Sequence, residues 1–191
     1  MTVLPIHKQT STLDDYMVGQ SPQMQKAYQV IERVAPLDVP VMIIGESGTG
    51  KELVARAIHN KSGRHGSFLA LNCGGIAESV LQNELFGHVR GAYTDARTDQ
   101  SGYFDEASDG TLLLDEIGNM GKGVQSALLR VLQFHEFNRV GSPRVIKTNA
   151  RVITAASGSI EDAIKEGRFD PALMYRIKVV EVALPPLRER G

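Results

Sequence analysis

A glycine-rich octapeptide contains the residues whose types and spacing are best suited to chemistry. It reads, in order, Gly45, Glu46, Ser47, Gly48, Thr49, Gly50, Lys51 and Glu52. Its first seven positions match the G-x-x-x-x-G-K-[ST] pattern of a phosphate-binding loop. Glycines let the main chain wrap closely around an anion, and a lysine at the seventh position can reach the β- and γ-phosphates of a nucleotide. The pattern predicts a site for ATP; the alternative is a glycine-rich turn without a ligand.

The eighth position of the octapeptide, Glu52, departs from that pattern. A serine or threonine there would offer its hydroxyl to Mg²⁺. A carboxylate instead binds the ion through water, or interacts favourably with the positive end of a helix. The spacing leaves both roles of Glu52 open, and it therefore supports the phosphate site more strongly than the metal site.

Two acidic residues follow a short apolar run further along the chain. The run 111–114, Thr-Leu-Leu-Leu, leads directly into Asp115 and Glu116. When such a strand lies beside a phosphate loop, Asp115 is placed to hold Mg²⁺ through its water shell, and Glu116 to orient and polarise the attacking water. A pair of acids, rather than one aspartate, favours an ATPase over a kinase. A solvated acidic pair at a strand end is the alternative.

These groups need a scaffold that brings the ends of several strands together. Apolar runs predict strands over residues 41–44, 68–71, 111–114, 151–155 and 179–184. Helical spacing predicts helices over 22–34, after the phosphate loop, over 79–86 and around 124–132. This alternation is typical of an α/β fold with a parallel sheet covered by helices. In the helix after the phosphate loop, one side is expected to carry Leu53, Val54, Ala57 and Ile58.

Composition predicts one soluble domain. The chain has 191 residues and a net charge of −1, so no overall basic field argues for nucleic-acid binding. Its one cysteine, Cys73, cannot form an internal disulfide, and no apolar stretch reaches the length of a membrane span. We therefore expect a cytoplasmic protein with no membrane contact. Residues 1–15 are predicted to be a tail or linker, 16–184 the nucleotide-binding subdomain, and 185–191 the start of a further linker.

Several separate motifs resemble one family. The octapeptide, with glutamate in its eighth position, is similar to the phosphate loop of NtrC-like bacterial enhancer-binding proteins, the AAA+ activators of sigma-54 RNA polymerase. The resemblance runs from about Met17 to Gly191, with further motifs at 71–73, 84–88, 114–118, 129–133 and 184–190. It implies a P-loop AAA+ (RecA-like) three-layer sandwich with a parallel central sheet flanked by helices. The family's helical lid is expected to be absent from this chain.

The resemblance also implies roles for site residues. Members of the family hydrolyse ATP, with Mg²⁺, between the subunits of a ring that is usually a hexamer. By resemblance, Lys51 binds phosphate, and Asn72 pairs with Glu116 and switches its orientation with the nucleotide state. Arg176 would reach a neighbour's ATP as an arginine finger, where its charge would stabilise the transition state.

A loop is implied to bind the protein partner. The hexapeptide 91–96, Gly-Ala-Tyr-Thr-Asp-Ala, lies where the family carries the loop that engages sigma-54 RNA polymerase holoenzyme. Hydrolysis moves that loop and remodels the closed promoter complex. Tyr93 and Thr94 are therefore the candidate partner-binding residues. DNA contact is implied only through a C-terminal module beyond this chain.

Three positions depart from the family pattern. Asp95 replaces the second glycine of the partner loop, Asp170 replaces an arginine, and Ser157 replaces an asparagine that senses the γ-phosphate. These changes predict a ring that needs a second, complementary subunit. They also support an alternative function, a nucleotide-dependent assembly or regulatory subunit with little ATPase activity of its own. The near-neutral charge and the lack of a helix-turn-helix signal disfavour a stand-alone DNA-binding protein.

Overall fold

The computed structural model describes residues 19–190, whose centre is a five-stranded sheet. Its strands are β1 (Val41–Ile44), β2 (Phe68–Asn72), β3 (Thr111–Asp115), β6 (Arg151–Ala156) and β7 (Val180–Ala183). They lie in the order β2-β3-β6-β1-β7, and each neighbouring pair is parallel. A separate antiparallel pair consists of β4 (Glu136–Asn138) and β5 (Val145–Lys147). The predicted α/β fold with a parallel sheet is confirmed.

Helices cover both faces of the sheet. They are α1 (Pro22–Val34), α2 (Lys51–Lys61), α3 (Glu78–Phe86), α4 (Tyr103–Glu106), α5 (Lys122–Phe134), α6 (Ile160–Lys165) and α7 (Pro171–Ile177). The start of α1 follows from its sequence, because the Ser21 hydroxyl accepts a hydrogen bond from the main chain of Met24 and proline occupies the first helical position. Among the helices of residues 19–190, none is long and apolar enough to cross a membrane.

Alternate residues of the central strands belong to two different cores. Leu112 and Leu114 pack in a core with residues of α3 and α5, whereas Leu113 packs in a second core with residues of α1 and α2. Successive side chains of a strand point to opposite faces, so both faces of the sheet are buried under helices. The predicted three-layer sandwich is therefore confirmed. The carboxyl ends of the five parallel strands lie at one end of the central sheet, which we call the carboxyl edge, and their amino ends lie at the opposite end, the amino edge.

Some local predictions need correction. Val54, Ala57 and Ile58 are fully buried on α2, but Leu53 is 44% exposed. Adjacent helical residues differ by about 100° in direction, and Leu53 thus points away from the arc centred on Val54 and Ile58. Residues 1–15, the predicted tail, lie outside the described residues. The subdomain boundaries remain a prediction.

Candidate functional site

The phosphate loop connects β1 to α2 at the carboxyl edge. Gly48 and Gly50 have φ angles of +78° and +83°, which side chains rarely tolerate. A Cβ atom on Gly45 would lie 2.7 Å from the Thr49 hydroxyl, so this glycine permits close approach of the loop to itself. That hydroxyl donates to the Glu46 carbonyl over 2.7 Å. The glycines therefore fix a tight main-chain cradle, as the sequence pattern predicts.

Lys51 places a buried cation in this cradle. Its side chain belongs to a residue only 7% exposed, and Nζ donates to the carbonyls of Gly45 and Glu46 over 3.1 and 3.2 Å. None of the ion pairs found within residues 19–190 includes Lys51. A buried charge without a counter-ion is costly, and an anion relieves that cost. In the same range, the N–H groups of Gly48 and Gly50 have no protein acceptor. The residues present thus fit a nucleotide polyphosphate.

The acidic pair lies at the end of β3, next to the strand that carries Asn72. Parallel pairing of β2 with β3 aligns Asn72 with Asp115. Asp115 accepts a hydrogen bond from the Glu116 main chain over 2.8 Å. Glu116 has a left-handed φ of +54°, uncommon for a residue with a side chain. Such strained conformations concentrate at functional sites, and here the turn leaves the Glu116 carboxylate close to Gly74 and Asn119.

The predicted pairing of Asn72 with Glu116 is not the contact that this structure contains. Asn72 Oδ1 accepts from the Gly74 N–H over 2.7 Å, and Glu116 Oε2 accepts from Asn119 Nδ2 over 3.1 Å. Both side chains nevertheless lie close to Gly74. A Cβ atom on that glycine would lie 2.1 Å from Glu116 Oε2 and 3.1 Å from Asn72 Oδ1. Since each side chain has another partner here, direct pairing would require a different arrangement. The nucleotide-dependent switch stays a prediction.

The metal assignment depends on Asp115. Gly50 occupies the N-cap of α2, and no side chain accepts a capping hydrogen bond there; the Glu52 carboxylate pairs with Arg56 one turn further along, at 3.0 Å on the exposed side of the helix. Of its two candidate roles, a favourable charge in the first helical turn fits this position. Residues 19–190 contain no group of three acidic, histidine or cysteine ligands able to hold an ion. A bound Mg²⁺ would therefore be held by Asp115, water and nucleotide oxygens, which Mg²⁺ accepts readily.

Arg176 lies at the opposite end of the sheet from the phosphate loop. It is exposed on α7, and its Nε donates to the Leu132 carbonyl of α5 over 3.1 Å. It lines a cavity of about 500 Å³ together with Val39 and Val152, which lie at the amino ends of β1 and β6. The structure thus places Arg176 at the amino edge, whereas the nucleotide loop is at the carboxyl edge.

Asp170 has a structural role that the sequence comparison missed. Its carboxylate accepts from the Ala172 N–H over 2.8 Å and caps α7, whose first residue is Pro171. Its own N–H donates to Gln125 over 2.7 Å. Aspartate followed by proline is a helix-start signal, and it was available in the sequence. The residue therefore stabilises the start of the helix that carries Arg176.

Ser157 follows β6 and is close to the acidic pair. It lines a cavity of about 300 Å³ with Glu116 and Arg168. Arg168 forms an ion pair with Glu166 at 2.5 Å. Ser157 is thus located beside the residue expected to orient water, although its hydroxyl is short and offers fewer hydrogen bonds than an asparagine amide.

The predicted partner loop is exposed at its tip and fixed at its base. Thr94 and Asp95 are exposed, and the Tyr93 ring packs 5.1 Å from that of His88. The Gly91 N–H donates to the Ala96 carbonyl over 2.8 Å and closes the loop. Within residues 19–190, the non-glycine residues with left-handed φ are Asp109, Glu116 and His135. Asp95 is not among them, so the replacement of glycine at this position causes no backbone strain.

Two arginines assigned to a linker by sequence reach the phosphate loop instead. Arg188 forms a two-point ion pair with Glu46, both N···O distances being 2.9 Å, and its guanidinium lowers the pKa of the Glu46 carboxyl. Arg190 is buried and donates to the Thr49 carbonyl over 2.5 Å. No local spacing signals these contacts, because Arg190 and Thr49 are 141 residues apart.

Comparisons with known proteins agree with this geometry. One family model, the Sigma-54 interaction domain, matches residues 17–183. The Nif-specific regulatory protein of Azospirillum lipoferum is 51% identical over 175 residues, which are 91% of this chain and 28% of that protein. The DNA-binding transcriptional regulator NtrC of Bradyrhizobium sp. (strain RP501 Parasponia) is 49% identical over 175 residues, 91% of this chain and 36% of that protein.

A solved structure is similar over the same region. The crystal structure of NtrX from Brucella abortus in complex with ATP has a TM-score of 0.84 and 40% sequence identity to this chain. The similarity covers 91% of this chain and 38% of that one. The chain therefore spans about a third of the length of these relatives, between 28% and 38%.

Proposed function

The chain belongs to the Sigma-54 interaction domain family, and from this premise we propose that it binds and hydrolyses ATP within an oligomeric ring in order to remodel a promoter complex of sigma-54 RNA polymerase. The observation that carries the proposal is the buried Lys51 ammonium in a glycine cradle, at the same edge of the sheet as the acidic pair and separated from it by strand β6. The cradle offers main-chain N–H groups and one cation to phosphate, and Asp115 and Glu116 are on a strand of the same carboxyl edge.

The residues of this edge have distinct roles in hydrolysis. Lys51 and the loop N–H groups hold the β- and γ-phosphates and stabilise the charge that develops on them. Glu116 orients the attacking water and accepts its proton. Mg²⁺, held by Asp115 through water, would neutralise phosphate charge. The side chains of Asn72 and Glu116 both lie close to Gly74. Asn72 would therefore pair with Glu116 in one nucleotide state and release it in the other.

Hydrolysis then requires a second subunit. Arg176 belongs to the amino edge, so it would complete the nucleotide site of a neighbouring chain rather than its own. Stabilisation of transition-state charge by such an arginine is worth about 10³-fold or more in rate. A ring, which we propose to be a hexamer, supplies this neighbour at every site.

The loop at residues 91–96 would engage sigma-54 holoenzyme. Its closure by Gly91 and Ala96 leaves Tyr93 and Thr94 accessible at the tip. Ala92 lies close to Gly141 in the turn between β4 and β5, because a Cβ atom on Gly141 would be 2.7 Å from the Ala92 Cβ. Asp95 adds a negative charge to this tip, and a partner would need to accommodate it.

A second function is favoured by one specific observation. Asp170 provides an anion where the family has an arginine, and this supports a regulatory subunit that binds ATP but scarcely hydrolyses it. The two functions differ in the rate of phosphate release per subunit as protein concentration rises. An ATPase of the proposed kind shows a rate per subunit that increases as rings form and that is lost in Glu116→Gln. A rate that stays at the Glu116→Gln level, at concentrations where light scattering detects rings, would exclude it in favour of the regulatory subunit.

A further inference from the structure

The segment that follows β7 crosses the phosphate loop. We call residues 184–190 the strap. At its start, the Leu184 N–H donates to the Ile44 carbonyl over 2.7 Å, immediately before the loop. A Cβ atom on Gly45 would lie 3.1 Å from Leu184 Cβ, so strap and loop are packed against each other. The strap is therefore part of the wall behind the phosphate cradle.

Arg190 connects the end of the strap to the loop. The residue is 8% exposed, and its guanidinium donates to two main-chain carbonyls, Thr49 over 2.5 Å and Pro185 over 3.0 Å. Its own carbonyl accepts from the Gln20 N–H over 3.1 Å. A buried guanidinium held by several main-chain groups cannot shift without leaving charge and carbonyls unpaired. Its position is therefore determined by the strap.

The Thr49 carbonyl is attached to the same peptide unit as the Gly50 N–H. The unit is planar and trans, so the two groups point in opposite directions. When Arg190 holds the Thr49 oxygen toward the strap, the Gly50 N–H is held toward the other side of the peptide. That N–H has no protein acceptor within residues 19–190, and it belongs to the glycine directly before Lys51.

We propose that Arg190 is a positioning residue for nucleotide binding, acting through the Thr49–Gly50 peptide to keep the Gly50 N–H directed at phosphate. The proposal deepens the function proposed above and rests on it. Arg190 itself contacts no phosphate. Its loss would allow this peptide to rotate, and the cradle would then offer one N–H fewer to the anion.

A matched control exists in the same domain. Arg151 is also a buried arginine, 3% exposed, and it also donates to two main-chain carbonyls, those of Val34 and Ala35, over 2.9 and 2.6 Å. It begins β6 at the amino edge, away from the phosphate loop. Arg151→Gln removes the same number of buried hydrogen bonds as Arg190→Gln without touching the cradle. It therefore separates loss of stability from loss of loop geometry.

The experiment is a fluorescence titration of the 191-residue chain with a fluorescent ADP analogue. Arg190→Gln should raise the Kd by at least about tenfold, because the hydrogen bond from the Gly50 N–H to a charged phosphate oxygen is weakened. Arg151→Gln should lower the Tm to a similar extent but keep the wild-type Kd. Arg190→Lys, which retains charge but not the two-point contact, should lie between Arg190→Gln and the wild type. If Arg190→Gln does not fold, Arg190→Lys is compared with Arg151→Lys.

Hydrogen exchange gives a second readout that a purely structural role would not produce. In folded Arg190→Lys, residues 45–50 should exchange faster than in Arg151→Lys, with or without ADP. A folded Arg190 variant with the wild-type Kd and wild-type exchange in this loop overturns the proposal. If the wild-type chain itself binds no nucleotide, the proposed function fails instead, which is a different result.

Discussion

The two edges of the central sheet are built in different ways. At the carboxyl edge, Lys51, Thr49 and Arg190 are each less than 10% exposed, and they are joined to the main chain by short hydrogen bonds. At the amino edge, Arg176 is exposed and has one hydrogen bond, to Leu132. Contacts within one chain are enough to order the side chains of the carboxyl edge. The amino edge offers a cation to solvent, and it is suited to a contact that another chain must supply.

The difference indicates where this domain depends on assembly. Nucleotide binding needs groups that are already ordered, because a preorganised cradle loses little entropy when the ligand binds. The proposed hydrolysis needs Arg176 beside phosphate, and the sheet separates Arg176 from the phosphate loop of its own chain. We therefore expect binding to be a property of the single chain and hydrolysis to be a property of the ring.

The largest effect is expected from Arg176→Ala. It should reduce ATP hydrolysis by about 10³-fold at ring-forming concentrations, since an arginine finger contributes at least this much, and it should leave the Kd for ADP unchanged. Phosphate release and a fluorescence titration measure the two quantities. A parallel loss of nucleotide affinity would place Arg176 in its own chain's site and contradict the division between the edges.

Mixing two inactive variants makes this test sharper. Lys51→Ala destroys a chain's own phosphate loop but keeps its Arg176, and Arg176→Ala does the reverse. In mixed rings, some sites combine an intact phosphate loop with a neighbour's intact Arg176. Phosphate release should therefore reappear on mixing and reach its maximum near equal amounts. No recovery, in samples where scattering shows mixed assembly, would contradict an Arg176 that acts between subunits.

Glu116→Gln should give the next largest effect. It removes the acceptor for the proton of the attacking water, so hydrolysis should fall by at least about a hundredfold while ATP remains bound. The matched control is Glu32→Gln on α1, where the carboxylate pairs with Lys61 at 3.0 Å, remote from the acidic pair. ATP binding that disappears together with hydrolysis would show that Glu116 has a structural role in the cradle.

The sequence predicted the central sheet and the phosphate loop better than the pair β4 and β5 for a physical reason. The five parallel strands are apolar runs buried on both faces, and the phosphate loop has a contiguous pattern with a direct mechanism. The pair β4 and β5 lacks such a signal, because each strand has three residues and only Phe137 of β4 is buried. Neither the hairpin nor the short helices α4 and α6 were predicted.

The contacts that shape the loop were also beyond sequence reasoning. Arg188 and Arg190 follow a Pro-Pro pair, which is typical of a linker, and they find Glu46 and Thr49 only after the sheet has folded. Asp170 is the opposite case. Its neighbour Pro171 is a local helix-start signal, so the cap on α7 could be predicted from the sequence, whereas the resemblance to the family indicates only the missing arginine.

Asp170→Arg should produce a moderate loss of stability. It restores the cation of the family but removes the side chain that caps α7, and loss of an N-cap costs about 1 kcal/mol. For a domain of this size, the Tm should fall by about 2–4 °C. Asp170→Asn is the control, because an asparagine oxygen can accept the same hydrogen bond from Ala172. If Asp170→Arg and Asp170→Asn have the same Tm, the capping hydrogen bond contributes nothing, and packing alone stabilises the start of α7.

The smallest effect is expected at the ion pair between Arg188 and Glu46, whose side chains are 66% and 56% exposed. Arg188 lowers the pKa of Glu46 in the folded chain from an ordinary value of 4.5. A lowered folded pKa stabilises the protein above the unfolded pKa, and that contribution is lost as the pH falls through the folded value. The Tm difference between wild type and Arg188→Gln should thus be present at neutral pH and shrink below pH 4.5.

A double-mutant cycle with Glu46→Gln isolates this interaction from the other acids of the chain. The coupling between the two substitutions should be small at neutral pH, and it should vanish both in acid and at about 1 M salt, where exposed charges are screened. A coupling that survives high salt would mean that the exposed pair, and not only the buried Arg190 and Lys51, holds the shape of the phosphate loop. The carboxyl edge would then depend on its surface as well as on its buried contacts.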